Sequence, residues 1–306
     1  LRISVTDRCN FRCRYCMPRE KFGKGHDFLP KNEILTYEEI RNFVKACKPL
    51  GLRKVRITGG EPLLRQDLHH LVRQLSAMEM EVALTTNGSL LENNAANLAQ
   101  SGLSRVTISL DAIDQEVHSK ITDSKVPVID ILDGISAATR YELGPVKVNC
   151  VVQRGVNEHQ IPKLVRKFRG TGVIVRFIEF MDVGSTNGWT QGQVVPTSEI
   201  IDFLSSEFDL TPLARKSASD VASRWAHSDG SGEIGFISSV SQPFCGDCVR
   251  ARLSSDGKFF TCLFTTIGHD MSALIRSGGN TEGLTLSIEE VWSARKDRYS
   301  EERSSG

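Results

Sequence analysis

The side chains best equipped for chemistry in this chain come as two groups of three cysteines. Cys9, Cys13 and Cys16 stand in the spacing C-x3-C-x2-C within LRISVTDRCNFRCRYC, directly after an alternating apolar stretch (Leu1, Ile3, Val5) that reads as a strand. Three thiolates on one short loop can hold three irons of a [4Fe-4S] cube and leave the fourth iron without a protein ligand, whereas a ferredoxin-type site supplies four. A structural zinc knot with a distant fourth ligand is the alternative. A zinc knot has no need of the strand end Gly59-Gly60-Glu61 that this chain carries. Cys245, Cys248 and Cys262 repeat the arithmetic as C-x2-C-x13-C. They fit either a zinc site completed by His269 or His227 or a second [4Fe-4S] cluster with an open iron, able to bind a substrate heteroatom.

Arg250 and Arg252 stand between the last cysteines, in Val249-Arg-Ala-Arg-Leu. On a strand they share a face, and two guanidiniums on one face suit a phosphorylated ligand held through bidentate hydrogen bonds. A solvated charged face is the plainer reading.

The 306 residues are 40% hydrophobic and 25% charged, with a formal net charge of +1, the profile of a soluble globular protein with no nucleic-acid partner implied by bulk charge. Six of the eight cysteines fall in the two clusters, which favours metal sites in a reducing compartment over a disulfide framework. Cys47 and Cys150 sit in apolar contexts and read as core. No run of 18 apolar residues and no signal peptide is present, so no membrane association is expected. The numbering opens directly on a strand, and a processed targeting peptide stays open.

Strand and helix patterns alternate through the first 181 residues. Strands are expected at 3–6, 54–58, 82–86, 106–110, 146–152 and 173–180, and helices at 36–49, 66–77, 90–100, 128–141 and 161–168, the first opened by a capping box at Thr36 and Glu39. Such alternation requires a parallel sheet covered by helices. Six units predict an α/β fold, a partial (β/α)6 barrel with a polar rim at the C-terminal strand ends; a doubly wound sheet lacks its glycine fingerprint here. Residues 182–306 form an α+β extension closing the barrel, with a hairpin around Asp256-Gly257, a turn at 229–232 and closing helices at 269–275 and 287–298. Both cysteine sets are expected at the C-terminal mouth, where they would flank one substrate.

Tyr15 precedes the last cysteine of the first set, and this motif resembles the signature of radical S-adenosylmethionine enzymes. The resemblance narrows with VRITGGEPLLR and FCGDCVRARLSSDGKFFTCLF, and the whole chain is similar to the GTP 3',8-cyclase family of molybdenum cofactor biosynthesis. That implies two [4Fe-4S] clusters and S-adenosyl-L-methionine as cofactors. Cys9, Cys13 and Cys16 would ligate the cluster that cleaves S-adenosylmethionine, with Tyr15, Gly60, Ser109 and Met181 contacting that cofactor. Cys245, Cys248 and Cys262 would ligate the second cluster, whose open iron meets the guanine of GTP. Arg2, Arg56, Thr86, Lys147, Arg250 and Arg252 would surround GTP, with Arg2, Arg250 and Arg252 counted as catalytic.

The implied reaction begins with a 5'-deoxyadenosyl radical that takes the ribose 3' hydrogen of GTP, and the carbon radical then closes on C8. Implied partners are an external one-electron donor, a cyclic pyranopterin monophosphate synthase that receives the product, and a second copy in a homodimer. The setting would be cytoplasmic in a bacterium or the mitochondrial matrix in a eukaryote. Family members usually end in two adjacent glycines, whereas this chain ends Arg303-Ser304-Ser305-Gly306. The alternatives are a radical enzyme that modifies peptides, which would need more cysteines and a peptide-binding domain, and a non-enzymatic iron-sulfur or zinc protein.

Overall fold

Alternation along the strands decides which side of the sheet is packed. In Lys147–Val152 and Ile174–Glu179 every second residue is buried and those between are half-exposed. Val148, Cys150 and Val152 go under the helices, while Lys147, Asn149 and Val151 face the other way. The helices match: Tyr37–Cys47 opens with the expected capping box at Thr36 and Glu39 and buries Ile40, Phe43, Val44, Ala46 and Cys47. Ile161–Phe168 starts with proline in its first turn and buries Ile161, Leu164, Val165 and Phe168. The hydrophobic core therefore lies between the sheet and its outer helices, and the inner face of the sheet carries polar and charged side chains.

The structure is a computed structural model that describes residues 1–183, 187–215, 217, 220–278 and 281–303; the terminal Ser304-Ser305-Gly306 and part of the polar loop at 184–194 lie outside the described residues. The core strands are β1 (Arg2–Ser4), β2 (Lys54–Thr58), β3 (Glu81–Thr86), β4 (Arg105–Ser109), β5 (Lys147–Val152) and β6 (Ile174–Glu179). The extension supplies β7 (Leu210–Leu213), β8 (Ser223–His227), β9 (Glu233–Ile237), β10 (Arg252–Leu253), β11 (Lys258–Phe260) and β12 (His269–Asp270). All twelve join one sheet in the order β12-β11-β10-β1-β2-β3-β4-β5-β6-β9-β8-β7. β10 runs parallel to β1 and β9 parallel to β6, so the extension continues the parallel core at both edges before antiparallel strands cap it.

Six core strands in sequence order, each followed by helix, are the partial barrel that the sequence predicts. The sheet curls: β1 and β6 lie five strand spacings apart, roughly 24 Å in a flat sheet, yet the charge of Arg2 on β1 is among the causes that depress the Arg176 guanidinium on β6. Three elements differ from expectation, one of them the closing helix expected at 287–298, which runs Thr281–Ser293. A helix at Gln115–Thr122 goes unforeseen, although Asp114 caps it by accepting from the Glu116 and Val117 amides. His269–Asp270 is an edge strand, with the helix starting later, at Ser272–Arg276. Among the described residues no helix is long and apolar enough to cross a membrane.

Candidate active site

Parallel register sets the inner face of the barrel. Arg252, Arg2 and Arg56 are paired neighbours on β10, β1 and β2, and Thr85 and Thr107 on β3 and β4 lead to Lys147 on β5. Asn149 on β5 then pairs with Arg176 on β6. The Arg56 guanidinium donates to Thr85 Oγ1 at 3.0 Å and, across β3, to Thr107 Oγ1 at 3.2 Å. Arg176 Nε donates to Asn149 Oδ1 at 2.9 Å, and Gly235 opposite it leaves the space, since a Cβ there would stand 2.9 Å from Arg176 Cγ. No described ion pair reaches Arg2, Arg56, Lys147, Arg176 or Arg252.

Burial and mutual repulsion hold all five cations below their ordinary values. Desolvation leads in each case: Arg2 and Arg176 fall to about 10, Arg56 and Arg252 to about 9, and Lys147 to about 8. Positive charge gathered in a desolvated interior with little counter-charge, Glu233 acting on Lys147 and the second cysteine set on Arg2 and Arg252, is costly unless an anion arrives. The interior is thus built for a polyanion. Arg176 was not among the residues that the resemblance assigned to GTP, although it is a charge flanked by apolar residues within its strand.

The first cysteine set stands past the C-terminal end of β1. Gly60 and Glu61 donate backbone bonds to Thr6 and Arg8 carbonyls at 2.8 and 2.7 Å, and a Cβ at Gly60 would lie 2.1 Å from the Arg8 oxygen, so glycine is required for this closure. The buried Glu61 carboxylate accepts from the Leu63 amide, the Thr86 hydroxyl and the Asn87 amide. Asn87 in turn donates to Asn10 Oδ1 at 2.8 Å beside Cys9. Cys16 and Met17 amides both donate to the Cys13 carbonyl at 2.9 Å, which closes a tight turn between the last two cysteines of the set. Burial raises all three thiols, Cys13 well above its usual range and Cys16 to about 11, with the Cys9 and Asp111 charges adding at Cys16.

The same rim carries the other predicted cofactor residues. The Tyr15 hydroxyl donates to Asp111 Oδ2 at 2.7 Å, and Asp111 Oδ1 accepts from the Val151 amide, which ties the loop to β4 and β5. Asn187 donates to both the Tyr15 and Met181 carbonyls, and Ser109 ends β4 on the inner face. Gly60, Ser109 and Met181 thus follow or end β2, β4 and β6 on one side. Thr86 is different: it is buried on the outer face with its hydroxyl on Glu61, and Thr85 takes the cavity side.

The second set occupies the opposite end, which corrects the expectation that both face the C-terminal mouth. β10 is parallel to β1, so Cys245 and Cys248, which precede it, lie toward the N-terminal side of the barrel; β11 runs back antiparallel and delivers Cys262 to that side too. Strand direction, which residue spacing does not encode, decides this. Arg2 to Thr6 spans about 13 Å along β1 and the residues after it, and the Arg2 and Arg252 guanidiniums feel the Cys248 charge.

Arg250 lies outside the two-residue strand β10, and its guanidinium donates to Cys248 Sγ at 3.2 and 3.1 Å. Desolvation opposes the Cys248 thiolate, but donors at Arg250 and Arg295 outweigh it and lower the thiol. Of the histidines weighed as extra ligands, His269 is exposed on edge strand β12 and His227 is buried against Phe208. Among the described residues no three His, Cys, Asp or Glu side chains converge on a single-ion site.

Comparison with known proteins places these features in a family. Residues 3–168 match the Radical SAM superfamily and residues 173–301 match Molybdenum Cofactor Synthesis C. The chain is 48% identical over 309 residues to a GTP 3',8-cyclase of Acidothermus cellulolyticus, covering 99% of this chain and 85% of that protein. It is 47% identical to one of Staphylococcus epidermidis, covering 99% and 90%. Among solved structures, Streptococcus suis SuiB bound to S-adenosylmethionine aligns with a TM-score of 0.66 over 97% of this chain and 68% of that one; at 12% identity this likeness concerns the fold alone. Near-full-length identity of this order, on a barrel whose first strand ends in the three-cysteine loop, shows that the chain belongs to the GTP 3',8-cyclase family of radical S-adenosylmethionine enzymes.

Proposed function

We propose that this protein converts GTP to (8S)-3',8-cyclo-7,8-dihydroguanosine 5'-triphosphate in an S-adenosylmethionine-dependent reaction, the first step of molybdopterin biosynthesis. The observation that carries the proposal is the row of desolvated, mutually repelling cations, Arg252, Arg2, Arg56, Lys147 and Arg176, on the inner wall between two three-thiol sets. A triphosphate supplies the missing counter-charge, and the relatives' shared name supplies the nucleotide.

The donor chemistry fits the implied groups. Cys9, Cys13 and Cys16 would hold a [4Fe-4S] cluster with one iron open, and Tyr15, Gly60, Ser109 and Met181 on the same rim would hold S-adenosylmethionine. Cys245, Cys248 and Cys262 would hold a second cluster. When bound, the first cluster and S-adenosylmethionine supply the one-electron cleavage that starts the reaction. The protein's own part is placement. Arg2, Arg56, Lys147, Arg176 and Arg252 fix the triphosphate and so orient the nucleotide, while Arg250 lowers the Cys248 thiol. Thr86 serves through Glu61 rather than by touching the nucleotide.

The division at residues 181 and 182, the external one-electron donor, transfer of product to a cyclic pyranopterin monophosphate synthase, a homodimer and a cytoplasmic setting belong to the same proposal. Anaerobic incubation with GTP, S-adenosylmethionine and reductant tests it. The cyclised nucleotide should form in step with 5'-deoxyadenosine; 5'-deoxyadenosine alone, with GTP returned unchanged, would sink the reading.

A further inference from the structure

Glu179 ends β6 on the outer, packed side of the sheet and is 0% exposed. Its Oε1 accepts from the Thr197 amide at 2.8 Å, the Thr197 hydroxyl at 3.0 Å and the Ser241 hydroxyl at 2.5 Å. Its Oε2 accepts from the Val240 and Ser241 amides, both at 2.8 Å. The residue's own carbonyl takes the Ser239 hydroxyl at 3.0 Å, and Ser238 donates to Thr197 Oγ1 at 2.8 Å.

Every one of these side-chain partners belongs to the extension. The helix Thr197–Ser205 begins at Pro196 without a side-chain cap of its own, so the Glu179 carboxylate serves as a cap from another element, where the helix dipole also favours negative charge. Residues 238–241 lead within a few positions to Cys245 and Cys248. Met181, on the cofactor rim, follows Glu179 by two residues.

We infer that Glu179 is a positioning residue that fixes the segment bearing Cys245 and Cys248 relative to β6, and so sets the second thiol set against the substrate in the barrel. The inference rests on the assignment of Cys245, Cys248 and Cys262 to a substrate-facing cluster. Glutamine is nearly isosteric but cannot replace Glu179. Whichever way its amide turns, the NH2 opposes a backbone N–H, because Thr197 donates to one oxygen and Val240 and Ser241 to the other.

The test compares E179Q, E179D and S241A with the parent. In protein without clusters, hydrogen exchange at Val240 and Ser241 should quicken about tenfold or more in E179Q, and thiol labelling of Cys245 and Cys248 should accelerate while Cys9, Cys13 and Cys16 stay unchanged. In the loaded enzyme, S-adenosylmethionine cleavage should stay within about twofold, while cyclised nucleotide formed per 5'-deoxyadenosine falls about tenfold. E179D should recover part of that coupling, because it keeps two acceptor oxygens.

Parent-like exchange and coupling in E179Q would overturn the inference. So would loss of both thiol sets and of cleavage together, which would make Glu179 a support of the whole fold. If E179Q does not fold, S241A, which deletes one donor to the same carboxylate, gives the same two-way reading. Exchange and labelling do not depend on GTP, so failure of the cyclisation assignment is distinguishable from failure of this one.

Discussion

The two three-cysteine sets share their arithmetic and differ in their electrical surroundings. At Cys9, Cys13 and Cys16, desolvation and the carboxylates Glu61 and Asp111 raise the thiols. At Cys248, the Arg250 backbone amide together with the Arg250 and Arg295 guanidiniums lowers the thiol against desolvation. An environment that resists thiolate charge until irons arrive suits a site whose ligands are completed by the metal itself. An environment rich in fixed cations suits a site that shares its cavity with an anionic substrate. An equal count of cysteines therefore does not imply equal work. What separates the sets is which end of the barrel each occupies.

The comparison breaks most sharply by deleting one set at a time. Replacing Cys9, Cys13 and Cys16 together by alanine should abolish S-adenosylmethionine cleavage and leave about four irons per chain, those of the second cluster. Replacing Cys245, Cys248 and Cys262 should leave cleavage measurable and remove cyclised product. Iron content, Mössbauer spectra and chromatography of the products read both outcomes, and loss of cleavage in both variants would erase the distinction.

Next in size are the cations of the interior. A charge-assisted hydrogen bond is worth about 1.5 to 3 kcal/mol, so R252A should weaken calorimetric GTP affinity about tenfold to a hundredfold with the first cluster intact. R250A should in addition raise the Cys248 thiol, visible as slower labelling near neutral pH, because Arg250 contacts that sulfur. Identical behaviour of R250A and R252A would contradict the separation of their roles.

The Lys147 ammonium, held at about 8 by desolvation and its arginine neighbours, predicts a pH dependence. Below that value it is charged and attracts the triphosphate. As pH rises through it in the free protein the charge is lost, so GTP binding should weaken above pH 8 and be accompanied by proton uptake. K147R should flatten this limb. Calorimetry in buffers of different ionisation enthalpy checks the proton count, and proton release in place of uptake would reverse the sign and refute it.

The smallest effect separates Thr86 from Thr85. T86V removes the hydroxyl that Glu61 accepts and should lower the melting temperature, by a loss of about 1 to 3 kcal/mol, with GTP affinity unchanged. T85V should slacken Arg56 and weaken GTP binding modestly. A GTP defect in T86V at parent stability would restore Thr86 to the substrate wall.

Much of this was legible in the residues alone. The capping box at Thr36, the alternation of 147–152 and the polar strand ends give the elements their kind and order, since hydrogen-bond satisfaction and burial act over a few neighbouring residues. The cysteine triplets named their ligand count, while Arg56 and Lys147 came from the family resemblance. Arg176 was not part of that resemblance, and Asp114 was an unread helix cap.

The rest belonged to tertiary structure. Whether β10 joins β1 in parallel or antiparallel fashion is settled by long-range backbone pairing, and that choice sends Cys245, Cys248 and Cys262 to the N-terminal end of the barrel. Thr85 and Thr86 are equally polar in sequence, and register alone assigns one to Arg56 and the other to Glu61. Glu179 reads as one more polar strand end until the extension folds back onto it. Local chemistry determined what each segment could do; the pairing of distant strands determined where it does it, because a one-residue shift or a reversal of direction exchanges faces and ends without changing a single side chain.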